Sequence, residues 1–162
     1  MVAVHGRTRC QMDKSSANWL EIARVVDAVN IPVVANGDIT CLDTVSDATR
    51  DSGAAGVMIG RGAQGRPWLI GQAGDYLAGK PVRPTPTVAM RHQLMRAHLD
   101  DMRSHYGTVA LRLARKHIAW YAHGLPGSAE LRAIANNTND SKLVFAAVDG
   151  FFAALDPSDV AA

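Results

Sequence analysis

The strongest constraint on this chain is a pattern that occurs three times in its first 80 residues: a short apolar run, then small or polar residues, then an amphipathic helix. The runs occupy residues 2–4, 33–35 and 57–59. Uninterrupted apolar strands are typical of a parallel sheet covered on both faces, and alternating βα units predict an α/β fold with right-handed crossovers. A closed barrel needs eight such units and typically about 250 residues. The pattern therefore leaves two alternatives, a small open sheet or a piece of a larger barrel. Because the first run directly follows Met1, without room for a preceding helix, we expect a piece.

Three helices are expected in this part. The first begins near Asn18, where Asn18 and Glu21 resemble a capping box. The second opens at residues 40–43 and stops at Gly53, because glycine is common just after a helix. The third has Pro67 in its first turn and runs to about Gly79.

A proline-rich linker at residues 81–86 is predicted to separate the part at 1–80 from a helical bundle at 87–156, which is followed by a tail at 157–162. Helices are expected at about 87–106, 109–123, 128–136 and 141–155. The last one is expected to bury a stripe consisting of Leu143, Val144, Ala147, Val148, Phe151 and Leu155.

Composition excludes several classes of protein. With 48% hydrophobic and 20% charged residues, the chain is expected to be globular, and no apolar run approaches the roughly 20 residues of a membrane span. Cys10 and Cys41 form no CxxC pair, and the start has no signal-peptide pattern. We therefore expect a cytoplasmic protein without a disulfide framework, a metal site or a membrane partner.

Charge is distributed unevenly although the net charge is only +2. Residues 1–80 hold eight Lys or Arg and eight Asp or Glu, whereas residues 83–132 hold eight Lys or Arg against three acids. A basic segment beside a neutral one indicates a polyanionic partner, with an ordinary solvated helix surface as the alternative.

Polar and glycine-rich segments follow all three strands, where barrels place their functional groups. The segments are His5-Gly6-Arg7, Asn36-Gly37-Asp38 and Gly60-Arg61-Gly62. Glycine allows a ligand to approach the backbone, N–H groups at a helix start bind phosphate, and arginine adds a bidentate donor. Phosphate binding at the last two strands is the hypothesis, and tight βα turns are the alternative.

At family-like spacing, the chain carries His5-Gly6-Arg7-Thr8-Arg9, Asn36-Gly37-Asp38-Ile39, Gly56-Val57-Met58-Ile59-Gly60-Arg61-Gly62, Arg66-Pro67-Trp68, Arg115-Lys116-His117 and Trp120-Tyr121. Together these motifs resemble the tRNA-dihydrouridine synthase family, most closely its bacterial B-type branch, members of which are sometimes labelled nitrogen-regulation proteins. The resemblance covers residues 2 to about 150. It implies the C-terminal half of such a protein: the last three βα units of a TIM barrel, then a helical tRNA-binding domain.

The resemblance also implies chemistry, because the family reduces the uridine C5–C6 double bond in tRNA with FMN that NADPH recharges. His5 resembles the flavin-contacting histidine. The loop formed by Asn36, Gly37 and Asp38 resembles the one under the flavin phosphate and ribityl chain, and Gly60 and Arg61 resemble the phosphate clamp. Arg7 is expected at the same mouth, on the substrate side.

Two residues of the family's chemistry are not matched here: its general-acid cysteine and its flavin-contacting lysine belong to an earlier part of the barrel. Cys10 and Cys41 do not occupy the cysteine motif, so no catalytic residue is assigned and the isolated chain is expected to be inactive. Its expected partners are tRNA and either the missing N-terminal barrel half or a second copy, through the exposed sheet edge.

In the helical domain, Arg112, Arg115 and Lys116 are spaced i, i+3, i+4 and so share a face. Phosphate contact is the functional interpretation, and a plain surface is the alternative. Trp120 and Tyr121 are expected to pack in the core or between domains, with base stacking as the alternative. His92, His98 and His105 are expected to face solvent or RNA. Two other functions stay open: a tRNA-binding module without chemistry, and a phosphate-binding βα protein of sugar metabolism.

Overall fold

Two units divide the chain, Met1–Pro84 and Thr85–Ala162, in a computed structural model that describes residues 1–11 and 14–160. The predicted linker at 81–86 straddles their boundary. Of the predicted tail, Pro157–Val160 form a short 3-10 turn, and residues 161–162 lie outside the described residues.

The first unit contains a parallel sheet of β1 (Val2–His5), β2 (Val33–Asn36) and β3 (Gly56–Met58), in that order. His5 pairs with Asn36 and Asn36 with Met58, so the three strands end at the same edge. The predicted alternation of parallel strands and helices is confirmed. Within the described residues the sheet stays open, with β1 and β3 at its edges, so barrel closure remains a prediction.

Three helices follow the strands: α1 (Trp19–Ala28), α2 (Leu42–Ser52) and α3 (Trp68–Leu77). Asn18 caps α1 by accepting a hydrogen bond from the Leu20 N–H. The predicted capping box is wrong in its second half, because the Glu21 carboxylate pairs with Arg24 at 3.0 Å. Gly53 ends α2 in the left-handed conformation that glycine adopts without strain.

The core of this unit lies between the sheet and its helices. Val33 and Ala35 of β2 are buried with Ile22 of α1, and Val45 and Ala73 belong to a second cluster that joins α2 and α3. Because successive strand residues point to opposite faces, burying Val33 and Ala35 turns Asn36 to the other face. The apolar pattern thus fixes the direction of the polar side chains at the strand ends.

Arg83, near the end of the first unit, binds to α3. Arg83 donates from Nε and Nη2 to the Asp75 carboxylate at 2.6 and 2.9 Å, and its backbone carbonyl accepts from Gln72. The guanidinium lies directly over Gly71, where a Cβ atom would come within 2.6 Å of it. The first half of the predicted linker is therefore bound to a helix.

The second unit is an all-helical bundle of α4 (Val88–Tyr106), α5 (Ala110–Tyr121), α6 (Ser128–Asn137) and α7 (Ser141–Ala153). Each helix packs on the next, and α7 returns to α4. One predicted core position is wrong: Leu143 is 56% exposed. Phe152 is buried in its place and stacks on His92 at a ring distance of 5.1 Å, because α7 turns this side towards α4.

Candidate functional site

A cavity of about 600 Å³ lies at the edge where the three strands end. All seven residues predicted to contact the cofactor or substrate in this unit line it, together with four others. The lining consists of His5, Arg7, Asn36, Gly37, Asp38, Ile39, Thr40, Gly60, Arg61, Gly62 and Arg66. Gly62 belongs to the segment predicted to bind phosphate. Ile39, Thr40 and Arg66 were not predicted as site residues, although each lies in or beside a motif named above.

Arg7 holds two loops together from beneath the surface, since only 6% of its side chain is exposed. Its Nη2 donates to Asp38 Oδ2 and its Nε donates to the carbonyl of Ser15, each at 2.5 Å. The third nitrogen, Nη1, is buried and has no hydrogen-bond partner among the described residues. Such a donor calls for an acceptor, because an unsatisfied buried polar group is costly.

Asp38 is the acidic partner of Arg7 in this ion pair. It has a φ of 54°, in the left-handed region that Asp tolerates better than most residues. Its Oδ2 also accepts from the Ala17 N–H at 2.7 Å, and its Oδ1 lies 4.0 Å from Arg61 Nη2. Burial acts to raise the pKa of Asp38, but the hydrogen bonds from Arg7 and Ala17 and the charges of Arg7 and Arg61 bring it below its ordinary value. The carboxylate therefore neutralises cations inside the cavity.

His5 is held with one ring nitrogen occupied. Its Nδ1 accepts from the backbone N–H of Arg7 at 3.1 Å. In a neutral imidazole with Nδ1 as the acceptor, the proton is on Nε2. His5 can therefore donate from Nε2 to an acceptor on a bound molecule.

Gly37 cannot be replaced by a residue with a side chain without movement of its neighbours. Its φ is 116°, and a Cβ atom would come 2.8 Å from Ala17 Cβ and 3.1 Å from His5 Cε1. Its carbonyl accepts from the Trp19 indole N–H at 3.0 Å. The turn at residues 36–38 is thus fixed on both sides by the segment that precedes α1.

The other wall of the cavity joins the ends of β2 and β3. Arg66 donates from Nη2 to the carbonyls of Thr40 at 3.0 Å and Gly62 at 3.4 Å. Gly62 packs directly on the Ile39 carbonyl, so a Cβ atom there would overlap that oxygen. At Gly60, by contrast, a Cβ atom would meet nothing within 4 Å, so this backbone lies open for a ligand to approach.

These features fit a phosphate-bearing ligand. The cavity offers donors from His5, Arg61 and Arg66, an orphaned donor on Arg7, and the open backbone at Gly60. Arginine and glycine-rich backbone are the groups that hold phosphate in proteins. The volume lies within the range of sites for small molecules and cofactors.

In the second unit, the three predicted RNA contacts are placed differently from one another. Arg112 and Lys116 are exposed on α5, and the Lys116 ammonium lies 5.7 Å from the Trp120 ring centre. Arg115 instead donates to the carbonyls of Ala135 and Thr138 and to Asn139 Oδ1, at 3.0, 3.3 and 2.9 Å. It therefore caps the end of α6, a role that the i, i+3, i+4 spacing did not predict.

The predicted histidine face also differs from the expectation. The His92 Nε2–H donates to Asp149 Oδ1 at 2.7 Å, and the His98 ring packs on His117 at a ring distance of 4.7 Å. Burial, the neighbouring His98 and Lys116 together lower the pKa of His117. His105 is exposed, as expected, whereas His92 and His98 are used in packing between helices. Tyr121 is buried, as predicted, and Trp120 is half-buried.

Both cysteines are exposed thiols. Hydrogen bonds with Thr44 lower the pKa of Cys41, which caps α2. Within residues 1–11 and 14–160, no cluster of three His, Cys, Asp or Glu residues is arranged to hold a metal ion. No helix in this part of the chain has the length and apolar character that crossing a membrane requires.

Residues 1–155 match the family model described as dihydrouridine synthase. A probable tRNA-dihydrouridine synthase from Rickettsia typhi is 48% identical over 141 residues, which are 86% of this chain and 43% of that protein. The tRNA-dihydrouridine synthase B of Xanthomonas axonopodis pv. citri is 42% identical over 155 residues, 95% of this chain and 47% of the relative. A probable tRNA-dihydrouridine synthase from Rhodobacter capsulatus is 42% identical over 153 residues. The chain spans about half the length of these curated relatives.

Proposed function

Because the chain belongs to the dihydrouridine synthase family, we propose that it is part of an enzyme that reduces uridine to dihydrouridine in tRNA, with FMN as cofactor and NADPH as reductant. The observation that carries the proposal is the convergence of His5, Asn36–Asp38 and Gly60–Arg61 on one cavity. These segments are up to 56 residues apart in sequence, counted from His5 to Arg61, and the parallel sheet brings them to one edge. The remaining strands of a TIM barrel would complete the walls.

The charge of the cavity lining favours a bound anion. Asp38 pairs closely with Arg7 and lies 4.0 Å from Arg61, so this one carboxylate only partly offsets the arginines that line the cavity. We assign the phosphate to the Gly60–Arg61 end and the ring system to the His5 end. Asp38, as an anion, contacts hydroxyl groups of the ribityl chain more favourably than the phosphate.

The flavin, when bound, supplies the reducing equivalents for the C5–C6 double bond of uracil. His5, with its proton on Nε2, donates to an acceptor on the ring system and so stabilises negative charge there. Arg61 holds the phosphate by a charge-assisted hydrogen bond. We expect the proton that uracil receives to come from the family's cysteine, which belongs to the earlier part of the barrel.

The helical unit supplies the contact to tRNA in this proposal. Arg112 and Lys116 are exposed one turn apart on α5, where they can bind successive phosphates. Arg115 supports this surface by fixing the end of α6. A cytoplasmic location accords with tRNA as the substrate and with two exposed thiols.

A non-catalytic tRNA-binding module is the second candidate, favoured by the exposure of Arg112 and Lys116 on a chain that covers 43–47% of the relatives matched above. A direct experiment separates the two. The 162-residue chain and a version extended by the N-terminal half of a relative are each given FMN, NADPH and unmodified tRNA. The proposal predicts dihydrouridine from the extended protein and none from the shorter chain. An extended protein that binds tRNA but neither holds flavin nor reduces uridine supports the binding module instead.

A further inference from the structure

Arg7 differs from the other cations of the cavity in its burial. Its side chain is 6% exposed, whereas that of Arg61 is 61% exposed. A residue that binds RNA phosphate must reach solvent. The Arg7 guanidinium is held beneath the surface by the half-buried Asp38 carboxylate and cannot do so without breaking that pair. The structure therefore gives Arg7 a role inside the protein.

The partners of Arg7 show what that role is. Ser15, which it contacts through the backbone carbonyl, belongs to the segment between β1 and α1, and Asp38 follows β2. The Ala17 N–H joins the same two segments by donating to Asp38, and the indole of Trp19, the first residue of α1, donates to the Gly37 carbonyl. Arg7 supplies the positive charge among these contacts, and it donates to the same Asp38 oxygen, Oδ2, as the Ala17 N–H.

Resting on the function proposed above, we propose that Arg7 is a positioning residue, which holds Asp38 and with it the ligand-binding turn at residues 36–38, and that it makes no contact with tRNA. The left-handed backbone of Asp38 is sparsely populated by residues other than glycine, so it persists because its surroundings impose it. The ion pair with Arg7 and the hydrogen bond from Ala17 are these surroundings. Fixing Asp38 also keeps Gly37 against His5.

The test compares Arg7→Met and Arg7→Lys in the 162-residue chain by NMR, with two readouts in the first unit. One is the titration of the Asp38 carboxyl, whose pKa is lowered by Arg7, Arg61 and the Ala17 N–H. The other titratable or charged groups that line the same cavity are His5 and Arg66. The second readout is the exchange protection of the Trp19 indole N–H, which reports whether Gly37 stays in place. Neither readout needs flavin or RNA.

Arg7→Met is expected to move the Asp38 titration to higher pH and to reduce protection of the Trp19 indole about tenfold or more. Arg7→Lys keeps the charge without the two-armed geometry, so it should restore the titration more than the protection. If Arg7→Met does not fold, Asp38→Asn replaces it: the Trp19 indole should then lose protection and the Arg7 Nε–H should exchange faster. Unchanged Asp38 titration and Trp19 protection would overturn the proposal.

A measurement of tRNA affinity tests whether Arg7 instead contacts an RNA phosphate. With an unmodified tRNA transcript, the dependence of log affinity on log salt should keep its slope in Arg7→Lys and Arg7→Met. A slope that falls by about 1 would identify Arg7 as a phosphate contact and overturn the proposal. A wild-type chain that does not bind tRNA contradicts the proposed partner instead, and the NMR readouts still decide the role of Arg7.

Discussion

Gly62 packs against Ile39 so closely that a Cβ atom on the glycine would overlap the Ile39 carbonyl oxygen. This contact brings the end of β3 against the end of β2, and Arg66 reinforces it by donating to the carbonyls of Thr40 and Gly62. The wall of the cavity on this side is therefore built from backbone. It depends on a residue without a side chain.

We accordingly expect Gly62→Ala to destabilise the first unit by about 1–3 kcal/mol, because the overlap forces a backbone shift. Urea unfolding followed by tryptophan fluorescence measures the effect. Gly56→Ala is the matched control: this glycine lies in strand β3 and its new Cβ meets nothing within 4 Å, so the free energy of unfolding should change by less than about 0.5 kcal/mol. Equal losses in the two variants would contradict a specific role of the Gly62 contact.

The contact between Arg83 and Asp75 leads to a second prediction. The hydrogen bonds and charge of Arg83 lower the pKa of Asp75 to about 2. A lowered carboxyl pKa stabilises the folded state above the ordinary value near 3.8, and this stabilisation is lost as pH falls towards 2. In Arg83→Gln, the Asp75 titration should return towards 3.8, as NMR would show. A protease of broad specificity such as subtilisin should also cut near residues 80–83 faster at neutral pH, since proline follows both Lys80 and Arg83 and blocks trypsin there.

Arg24→Gln serves as the control, because Arg24 forms an exposed pair with Glu21 on α1. It should change neither the titration of Asp75 nor cleavage near residues 80–83. In the wild-type chain, cleavage in this region is expected to release a helical fragment that stays folded, since the second unit has its own core. A fragment without helical circular dichroism would show that this unit depends on the first.

Much of the fold could be predicted from sequence, because it depends on local patterns. Apolar runs predict the three strands, and Asn18 and Gly53 mark where α1 begins and α2 ends. Leu143 and Phe152 show the limit: both fit the helical period of α7, and the packing of α7 on α4 decides which one is buried. A single helix does not contain that information.

The site shows the same division. Residues at strand ends could be predicted, since parallel strands bring their ends to one edge whatever the rest of the chain does. The partners of Arg7 and Arg115 could not, because each guanidinium reaches a carboxylate or carbonyl 20 or more residues away. Spacing predicts which side chains share a face, but it does not show which of them find an acceptor within the protein.

For tRNA binding, we expect Arg112→Ala and Lys116→Ala each to lower the slope of log affinity against log salt by about 1, because each loses one phosphate contact. Arg115→Ala should act differently, since it removes three hydrogen bonds at the end of α6 and destabilises the second unit. Filter binding across a salt series and thermal unfolding separate the two effects. If Arg115→Ala lowers the slope of log affinity against log salt by about 1 without a change in stability, Arg115 is a phosphate contact after all.

The edges of the open sheet lead to a prediction about association. β1 and β3 each pair on one side within the described residues, and Val2 and Met58 are 36% and 45% exposed. Unpaired strand edges bind other strands, and a lysine on the edge opposes this. We expect concentration-dependent self-association of the 162-residue chain and a decrease in Val2→Lys, measured by sedimentation velocity. A wild-type chain that is monomeric at all concentrations would contradict this.

The last prediction concerns flavin. The chain supplies one part of the expected pocket, with His5 for the ring system and Gly60 and Arg61 for the phosphate, so we expect the 162-residue chain alone to retain FMN weakly or not at all. In a protein extended by the N-terminal half, FMN should bind and colour the preparation yellow. Arg61→Ala should then weaken binding by about 1.5–3 kcal/mol, because it removes a charge-assisted hydrogen bond to the phosphate.

Quenching of flavin fluorescence measures this affinity, and riboflavin provides a stringent comparison because it lacks the phosphate. Arg61→Ala should leave riboflavin affinity unchanged, whereas a variant that merely distorts the cavity should weaken both ligands. Arg24→Ala, on the exposed surface of α1, should affect neither. If Arg61→Ala binds FMN as tightly as the unaltered protein does, the phosphate lies elsewhere, and Arg66, in the same segment between β3 and α3, is the next residue to replace.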